Sequence, residues 1–408
     1  MRKIAICAAL LVLASSVLDA QQNRLPEWQE GYLDIHCIAT RCGDASFLVL
    51  PDGTTMLIDA GDMTKSSWDC HAVPDDSKSP AQWIVDYMET FAPQVSETKS
   101  VDYMLLTHFH SDHMGCKGAL KPGKYGTKVA GLSEVGDYVR FGKIVDRGYP
   151  SYDFPSKEKV ESFAKGAMEP YHQFVDRQVS EGSKAEKFDV GSHSQFVLKY
   201  APKKYDFDIW NIAANCERAS AKGRKTVKMT SEGDDPMKFD ENMFSCAVRL
   251  RYGSFSYFNG GDLSGNNYGP AKYPDFNRDY ESQIAPLVGH VNVLKANHHG
   301  WKDTCNPYFM WTLAPDAVIV LASHIRHPWW ETARRLVDPQ LPGKRELYMT
   351  SDSGRELLGE ELHKAFHPIG HIVVRVSPGG EKYKIYVLDA ESRSRTIIES
   401  SDFISCGD

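Results

Sequence analysis

Short runs in which hydrophobic and polar residues alternate are concentrated toward the two ends of the chain, and this period of two is typical of β-strands. In the first part of the chain, these runs cover residues 32–40, 45–51, 54–62 and 101–108. In the second part, they cover residues 194–202, 244–262, 291–300, 316–323 and 371–389. The glycines in "PDG", "RYGS" and "SPGG" predict the turns of three hairpins.

Helical patterns lie mainly between the strand-rich parts. Residues 80–92 predict one helix, residues 157–182 predict one or two, and residues 327–338 begin another. The polar stretch 203–240 predicts an irregular loop. This order of elements favours an α/β (α+β) protein with two sheets and helices outside them, in one large domain.

The N-terminus has the pattern of a secretory signal peptide. Arg2 and Lys3 precede an apolar run over residues 4–13, and a cleavage point follows Ala20. A membrane anchor is the alternative, although the run is short for a bilayer. We therefore expect a secreted or periplasmic protein with no membrane span after cleavage. The predicted boundaries are a signal peptide at 1–20, a linker at 21–31, the main domain at 32–390 and a tail at 391–408.

Composition narrows the class of protein. The net charge of -7 argues against broad binding to nucleic acid, so we expect no stable nucleic-acid complex. The one basic cluster is predicted to be a solvated loop, and it comprises Lys222, Arg224, Lys225 and Lys228. Cysteines in an exported chain permit disulfides, but their spacing selects no pairing. For Cys116, close to His113 in sequence, we expect a structural role.

The stretch "LLTHFHSDHMG" (residues 105–115) places His108, His110, Asp112 and His113 directly after an apolar run. His108 and His110 are two residues apart at a strand end, so their side chains can point the same way. The following loop can return Asp112 and His113 to the same cavity. Imidazole and carboxylate are suitable ligands for zinc and similar ions, and four of them can serve two adjacent ions.

Two ions need further ligands, including a carboxylate that bridges them. Asp262 in "NGGDLSG" and the pair His298–His299 in "NHHG" follow strand-like runs and lie in turns flanked by glycine. We expect these residues to complete a site for two divalent ions. Zinc is the first choice, and manganese or iron are alternatives that the same ligands accept.

Four motifs, "GDASFLVLPDGTTMLIDAG", "THFHSDHMG", "NGGD" and "NHHG", occur in the order seen in the metallo-β-lactamase superfamily. The chain resembles this superfamily from about residue 32 to residue 390. It looks most like the secreted branch that contains the hydrolase domain of DNA-uptake channels and the teichoic acid phosphorylcholine esterases. The resemblance implies a four-layer αββα sandwich with a two-metal hydrolytic site.

The resemblance also implies a role for each matched residue. Asp59 corresponds to the aspartate that orients the metal loop, and His327 to a His-Pro element that lines the cleft or begins a helix. Asp112 doubles as a proton acceptor. One residue of the pair His298–His299 is a ligand and the other contacts the substrate, with His299 preferred as the ligand. The implied ligands are His108 and His110 for the first ion, Asp112, His113 and His299 for the second, and Asp262 as the bridge.

The chain departs from the superfamily pattern at one ligand. Many members place another histidine, bound to the first ion, between the first cluster and the bridging aspartate. Here the interval contains only His172, in a predicted helix, and His193, in a predicted turn. We expect neither to be a ligand. The chain resembles the phosphodiesterase branch in lacking this histidine, so the departure favours that branch.

We therefore predict a secreted hydrolase that cleaves an ester, with a phosphodiester of a surface polymer, lipid head group or nucleic acid as first choice. A lactonase or β-lactamase-like acyl hydrolase is the enzymatic alternative. A binding protein that has kept the fold without turnover is the non-enzymatic one. Trp301, Trp329 and Trp330 lie near the site motifs, where they either bind a choline-like group through their ring faces or simply pack in the core.

Overall fold

The computed structural model describes residues 23–63, 70–221, 225–265, 279–343 and 345–407. The predicted signal peptide lies outside the described residues, as do Lys222 and Arg224 of the basic cluster. Within the described ranges, no helix is both long and apolar enough to cross a bilayer.

The described chain contains twenty strands and ten α-helices. The strands are β1 (Leu33–Cys37), β2 (Ser46–Val49), β3 (Thr55–Ile58), β4 (Ser100–Leu105), β5 (Lys121–Pro122), β6 (Lys128–Val129), β7 (Arg140–Asp146), β8 (Lys184–Lys187), β9 (Phe207–Ala214), β10 (Glu217–Ala219), β11 (Thr226–Lys228), β12 (Ala247–Tyr252), β13 (Phe255–Asn259), β14 (Val293–Lys295), β15 (Ala317–Val320), β16 (Glu346–Met349), β17 (His371–Val376), β18 (Lys382–Leu388), β19 (Ile397–Ser400) and β20 (Ile404–Ser405). The helices are α1 (Pro80–Phe91), α2 (Pro93–Thr98), α3 (Ser111–Met114), α4 (Leu132–Val135), α5 (Lys157–Ala164), α6 (Met168–Ser180), α7 (Glu281–Val288), α8 (Pro307–Leu313), α9 (Trp330–Leu336) and α10 (Arg355–His363).

Two large mixed sheets account for most of the strands. The first has the order β19-β18-β17-β1-β2-β3-β4-β7-β8, with β20 paired to β18, and its strands β3, β4, β7 and β8 run parallel. The second has the order β11-β10-β9-β12-β13-β14-β15-β16, and its strands β13 to β16 run parallel. Strands β5 and β6 form a separate small pair.

Apolar side chains divide the molecule into four layers. One buried cluster joins the facing sides of the two sheets and includes Ile35, Leu250 and Ile319. A second cluster packs helices α1, α4 and α6 on the outer face of the first sheet, and a third packs α7, α8 and α9 on the outer face of the second. Alternation along the strands produces this division, because neighbours such as Phe47 and Leu48 belong to different clusters. The predicted αββα class is confirmed.

Local sequence signals account for the predicted helices. Helix α1 begins with a capping box in which Ser79 Oγ accepts the Gln82 N–H and Gln82 Oε1 accepts the Ser79 N–H. Its buried face, which includes Ala81, Ile84 and Met88, repeats every three or four residues. Residues 157–182 form two helices, because the chain takes a left-handed conformation at Lys165 after α5.

Three predictions of secondary structure or boundary are wrong. Residues 194–202 form no strand, although Phe196 and Leu198 pack in the inter-sheet core. The stretch 203–240 is not one irregular loop, because it contains β9, which pairs with β12, and the short strands β10 and β11. The boundary at residue 390 does not end the first sheet, since β19 and β20 both pair with β18.

Cys42 and Cys70 form a disulfide, a pairing that the spacing of the cysteines did not select. It closes a loop that carries β2, β3 and the connections next to them. The remaining described cysteines are unpaired and buried, and they are Cys37, Cys116, Cys216, Cys246, Cys305 and Cys406.

Candidate metal centre

The predicted site residues meet at one edge of the sandwich, where parallel strands of both sheets end. In the first sheet, Asp59 follows β3 and His108 follows β4. In the second sheet, Asp262 follows β13, and the pair His298–His299 follows β14. Carboxyl ends of neighbouring parallel strands lie side by side, so segments far apart in the chain reach one cavity.

A glycine lets the metal loop pack closely against the end of β3. A Cβ on Gly61 would lie 1.9 Å from the carbonyl oxygen of Asp112, so only glycine fits there. The same carbonyl accepts the Asp44 N–H at 2.7 Å, and the His113 carbonyl accepts the Ala60 N–H at 2.9 Å. These contacts fix the loop that carries Asp112 and His113.

His108 and His110 form one half of the site. His108 is fully buried, and its Nε2 lies 3.2 Å from Nδ1 of His110. Nε2 of His108 also lies 3.9 Å from Oδ2 of Asp262. Two imidazole nitrogens and one carboxylate oxygen therefore face the same small volume.

Asp112, His113 and His299 form the other half. Nε2 of His299 lies 3.2 Å from Oδ2 of Asp112 and 3.3 Å from Nε2 of His113. Oδ2 of Asp262 lies 3.2 Å from Nε2 of His113 and 3.3 Å from Nε2 of His299. Ligands of a tetrahedral zinc ion lie roughly 3.4 Å apart, given metal–ligand distances of about 2.0–2.1 Å. These separations match that value.

Hydrogen bonds on the far side of the rings orient two of the histidines. Nδ1 of His113 lies 2.8 Å from Oδ2 of Asp59, and Nδ1 of His299 lies 2.8 Å from the carbonyl oxygen of Leu321. Each Nδ1 therefore donates a proton on the far side of its ring, which leaves each Nε2 as the nitrogen that can bind a metal ion. Asp59 also accepts hydrogen bonds from the Thr107 N–H and hydroxyl, both at 2.8 Å. It thus connects the end of β3 to the metal loop.

Buried charge has strong effects on the pKa values of these groups. Burial lowers the pKa of His113, but the carboxylates of Asp262 and Asp59 outweigh burial and raise it to about 10. Burial raises the pKa of Asp262, yet His113, His299 and Lys295 hold it well below its ordinary value. In the ion-free protein, a proton on an imidazole offsets the carboxylate charge. Metal uptake should therefore release protons.

Asp44 and Lys295 adjoin the site and were not predicted from the sequence. Asp44 belongs to a buried group with His113, Asp262 and His299, whose ligand atoms all lie within 4.8 Å of one another. Its Oδ1 lies 3.1 Å from Nδ1 of His299, on the side of the ring away from Asp112. Nζ of Lys295 lies 2.8 Å from Oδ2 of Asp44 and 3.6 Å from Oδ1 of Asp262. A charged residue in an otherwise apolar parallel strand is the sequence signal that marks Lys295.

The donor set fits divalent metal ions. Imidazole lone pairs of His113 and His299 face each other at 3.3 Å in a buried space that also holds two carboxylates. Oδ1 of Asp262 is buried and accepts no hydrogen bond. Donor atoms so arranged need a cation between them, which is a proton in the ion-free protein and would be a metal ion in the loaded one. The described residues therefore contain a candidate metal centre, and its nitrogen and oxygen donors suit zinc, manganese or iron.

A buried ion pair supports the loop between His108 and His110. Arg147 and Glu241 are fully buried and bond through two contacts, at 2.7 and 2.5 Å. Oε1 of Glu241 also accepts the N–H of Phe109 at 2.8 Å. Because Phe109 separates the two histidines, this bond sets the positions of both side chains.

We expect Glu241→Ala to weaken metal binding by about 10–100-fold, the cost typical of losing a supporting hydrogen bond around a metal site. Isothermal titration of metal-free protein with Zn2+ would measure the change. Asp34→Ala is the matched control, because it breaks another buried pair, between Asp34 on β1 and Arg375 on β17. Both variants should lose stability, but only Glu241→Ala should lose metal affinity. An equal loss of affinity in both would contradict the positioning role.

His193 and His172, the two histidines between the first cluster and Asp262, do not lie with the other candidate ligands. His193 is exposed, bonds to the carboxylate of Asp208 at 3.0 Å and stacks on Trp210. His172 packs on Tyr152 and lines a surface cavity between α5 and α6.

Aromatic rings border the centre on the side of β15. His327 stacks on His299 with ring centroids 4.5 Å apart, before helix α9 begins. Trp301 lies between His327 and Trp329, at 5.9 and 5.0 Å from their rings. Trp330, by contrast, packs against the outer core of the second sheet.

No protein-family model matches the chain, and no curated protein matches it. Among solved structures, it is similar to a CmlA β-hydroxylase, with a TM-score of 0.40 and 12% identity over 78% of this chain and 53% of that one. The chain thus spans about half the length of that structure. Yeast PDE1 has a TM-score of 0.37 and 9% identity, over 84% of this chain and 98% of that one. The metallo-β-lactamase fold protein YhfI from Bacillus subtilis has a TM-score of 0.36 and 10% identity, over 85% and 100% of the two chains.

Proposed function

We propose that the protein is a hydrolase of the metallo-β-lactamase superfamily that uses two metal ions to cleave phosphodiester bonds. The observation that carries the proposal is the convergence on Oδ2 of Asp262, which has imidazole nitrogens from both halves of the site within 3.2–3.9 Å. An oxygen so placed could be a ligand of both ions. Two bound ions supply an activated water and offset the negative charge of a phosphoryl group.

The chain's own residues have separate tasks in this proposal. His108 and His110 would hold the first ion, and Asp112, His113 and His299 would hold the second. The carboxylate of Asp112 keeps about a fifth of its surface exposed, whereas His113 and His299 are fully buried. Asp112 is therefore the ligand that can also take a proton from water or return it to a leaving group. His298 lies at the same edge and contributes either to metal binding or to substrate contact.

An exposed arginine beside the histidines that border the centre favours an anionic substrate. Arg326 is exposed beside His324, and burial together with the Arg326 charge lowers the pKa of His324 to about 4. His324 packs on His327, which stacks on His299. A guanidinium at this position attracts a phosphodiester more strongly than a neutral lactone or amide.

Hydrolysis of three chromogenic substrates tests the proposal: bis(p-nitrophenyl) phosphate, p-nitrophenyl phosphorylcholine and nitrocefin, each with and without a chelator. We expect cleavage of at least one phosphodiester, lost on chelation and restored by Zn2+ or Mn2+. The leaving group is p-nitrophenolate in both phosphodiesters, so the ratio of their rates compares a choline group with an aryl group on the phosphate that is retained. Cleavage of nitrocefin alone would instead identify an acyl hydrolase. Purified protein with less than about one ion per chain and no turnover would favour the binding protein.

A further inference from the structure

Two consecutive histidines after β14 have unusual backbone conformations. His298 has φ 46° and ψ 46°, and His299 has φ 53° and ψ 24°. The left-handed region is costly for any residue with a Cβ, so two such residues in succession need a compensating interaction. The result is that both side chains turn toward one atom. Nε2 of His298 lies 4.0 Å from Oδ2 of Asp262, and Nε2 of His299 lies 3.3 Å from it.

If His298 is left out, the two halves of the centre have unequal numbers of ligands. The second half has Asp112, His113 and His299 together with the shared oxygen of Asp262, which makes the four ligands typical of zinc. Among the described residues assigned above, the first half has only His108, His110 and that oxygen. One further nitrogen donor near Asp262 would complete it.

His298 is oriented as a ligand would be. Its Nδ1 lies 3.0 Å from Oδ1 of Asp303, so Nδ1 carries the proton and Nε2 has the free lone pair. Nε2 of His108 lies 3.9 Å from Oδ2 of Asp262, almost the same separation as for His298. A shift of roughly half an ångström would bring both nitrogens to the spacing of tetrahedral ligands.

The neighbouring amide of Asn242 does not occupy this lone pair. Its Nδ2 lies 3.1 Å from Nε2 of His298 and 3.4 Å from Nδ1 of the same ring. An atom on the lone-pair axis of one ring nitrogen cannot be so close to the other nitrogen, so the amide lies off both axes. The amide of Asn242 therefore does not block the direction from Nε2 along its lone pair.

We propose that His298 binds the first ion through Nε2, so that the consecutive histidines serve one ion each. This inference rests on the proposed function, because it assumes the two-ion centre. Asp303 is then a positioning residue that acts through His298. Neither His172 nor His193 is needed to complete the first site.

Metal content and affinity test the inference directly. Metal-free protein is titrated with Zn2+ by calorimetry, and with Co2+ while its visible absorption is recorded. We expect His298→Ala to retain about one ion per chain where the wild type holds two, with the first-ion component of the Co2+ spectrum lost. Asp303→Asn should weaken binding of one ion about 10-fold. His193→Ala is the control, and it should keep both ions and full activity.

A second substitution protects the test against misfolding. Asparagine tolerates left-handed φ values better than alanine, so His298→Asn should keep the turn while removing the imidazole. Loss of one ion in this variant, with an unchanged unfolding transition, would support the inference. Two ions bound at wild-type affinity, with reduced hydrolysis, would overturn it and assign His298 to substrate contact. Wild-type protein that binds no Zn2+ would refute the proposed function itself, and the inference with it.

Discussion

Asp262→Ala should abolish hydrolysis and remove most of the bound metal. Oδ2 of Asp262 lies near nitrogens from both halves of the centre, at 3.2 Å from His113, 3.3 Å from His299 and 3.9 Å from His108. Its loss therefore affects both ions. We expect metal affinity to fall by more than the roughly 100-fold that removal of an outer hydrogen-bond partner costs.

The isosteric Asp262→Asn separates charge from shape in this experiment. The amide keeps an oxygen near the histidines but removes the negative charge, so metal binding should weaken while the fold is retained. The metal content of dialysed protein, by elemental analysis, and the turnover of the best phosphodiester are measured for the wild type, Asp262→Ala and Asp262→Asn. Wild-type activity in Asp262→Ala would reject the assignment of this centre as the site of hydrolysis.

Lys295→Met should lower the free energy of unfolding of the metal-free protein by about 3–5 kcal/mol, the cost of leaving buried charges without their partner. Lys295 is almost fully buried and contacts both Asp44 and Asp262. Burial alone would lower its pKa, but these carboxylates raise it above the ordinary value. The lysine is therefore charged, and it supplies a permanent positive charge beside the bridging carboxylate.

Saturation with Zn2+ should recover part of this loss, because the ions then offset the carboxylate charge in place of the lysine. Urea unfolding without metal measures the loss in the free energy of unfolding, and urea unfolding with Zn2+ measures the part that is recovered. Lys143→Met is the matched control, since Lys143 pairs with Glu186 in a half-exposed setting where a pair contributes at most about 1 kcal/mol. If Lys295→Met lowers the free energy of unfolding no more than the control does, the buried carboxylates of Asp44 and Asp262 do not need this lysine to offset their charge.

The sequence predicts which residues meet at this edge where those residues follow strands. The cluster from His108 to His113, Asp262 and the pair His298–His299 all follow recognisable strands and come together at one edge. Asp44 and Glu241 were missed because nothing in their local sequence distinguishes a carboxylate that supports a metal site from one in a surface turn. Only the packing of distant segments brings Asp44 to His299, and Glu241 to the N–H of Phe109.

The wrong predictions of secondary structure have a similar cause. The segment 194–202 has the alternation of a strand but pairs with no neighbouring strand, so it bends irregularly while it packs Phe196 into the core. Strand β9 lies in a stretch whose polar composition predicts a loop, yet its pairing with β12, such as Ile209 with Leu250, makes it part of the second sheet. Sheet membership depends on partners that are far away in the chain.

The ligands come from both sheets, and this arrangement has a consequence beyond chemistry. His108 and His113 follow a strand of the first sheet, whereas Asp262 and His299 follow strands of the second. An ion held among them is therefore also a cross-link between the layers at that edge, and it stabilises the sandwich in proportion to the logarithm of free metal concentration. In metal-poor surroundings the sheets would separate more often at this edge. Backbone amides there would then exchange hydrogen faster, and proteases would cleave the chain there first.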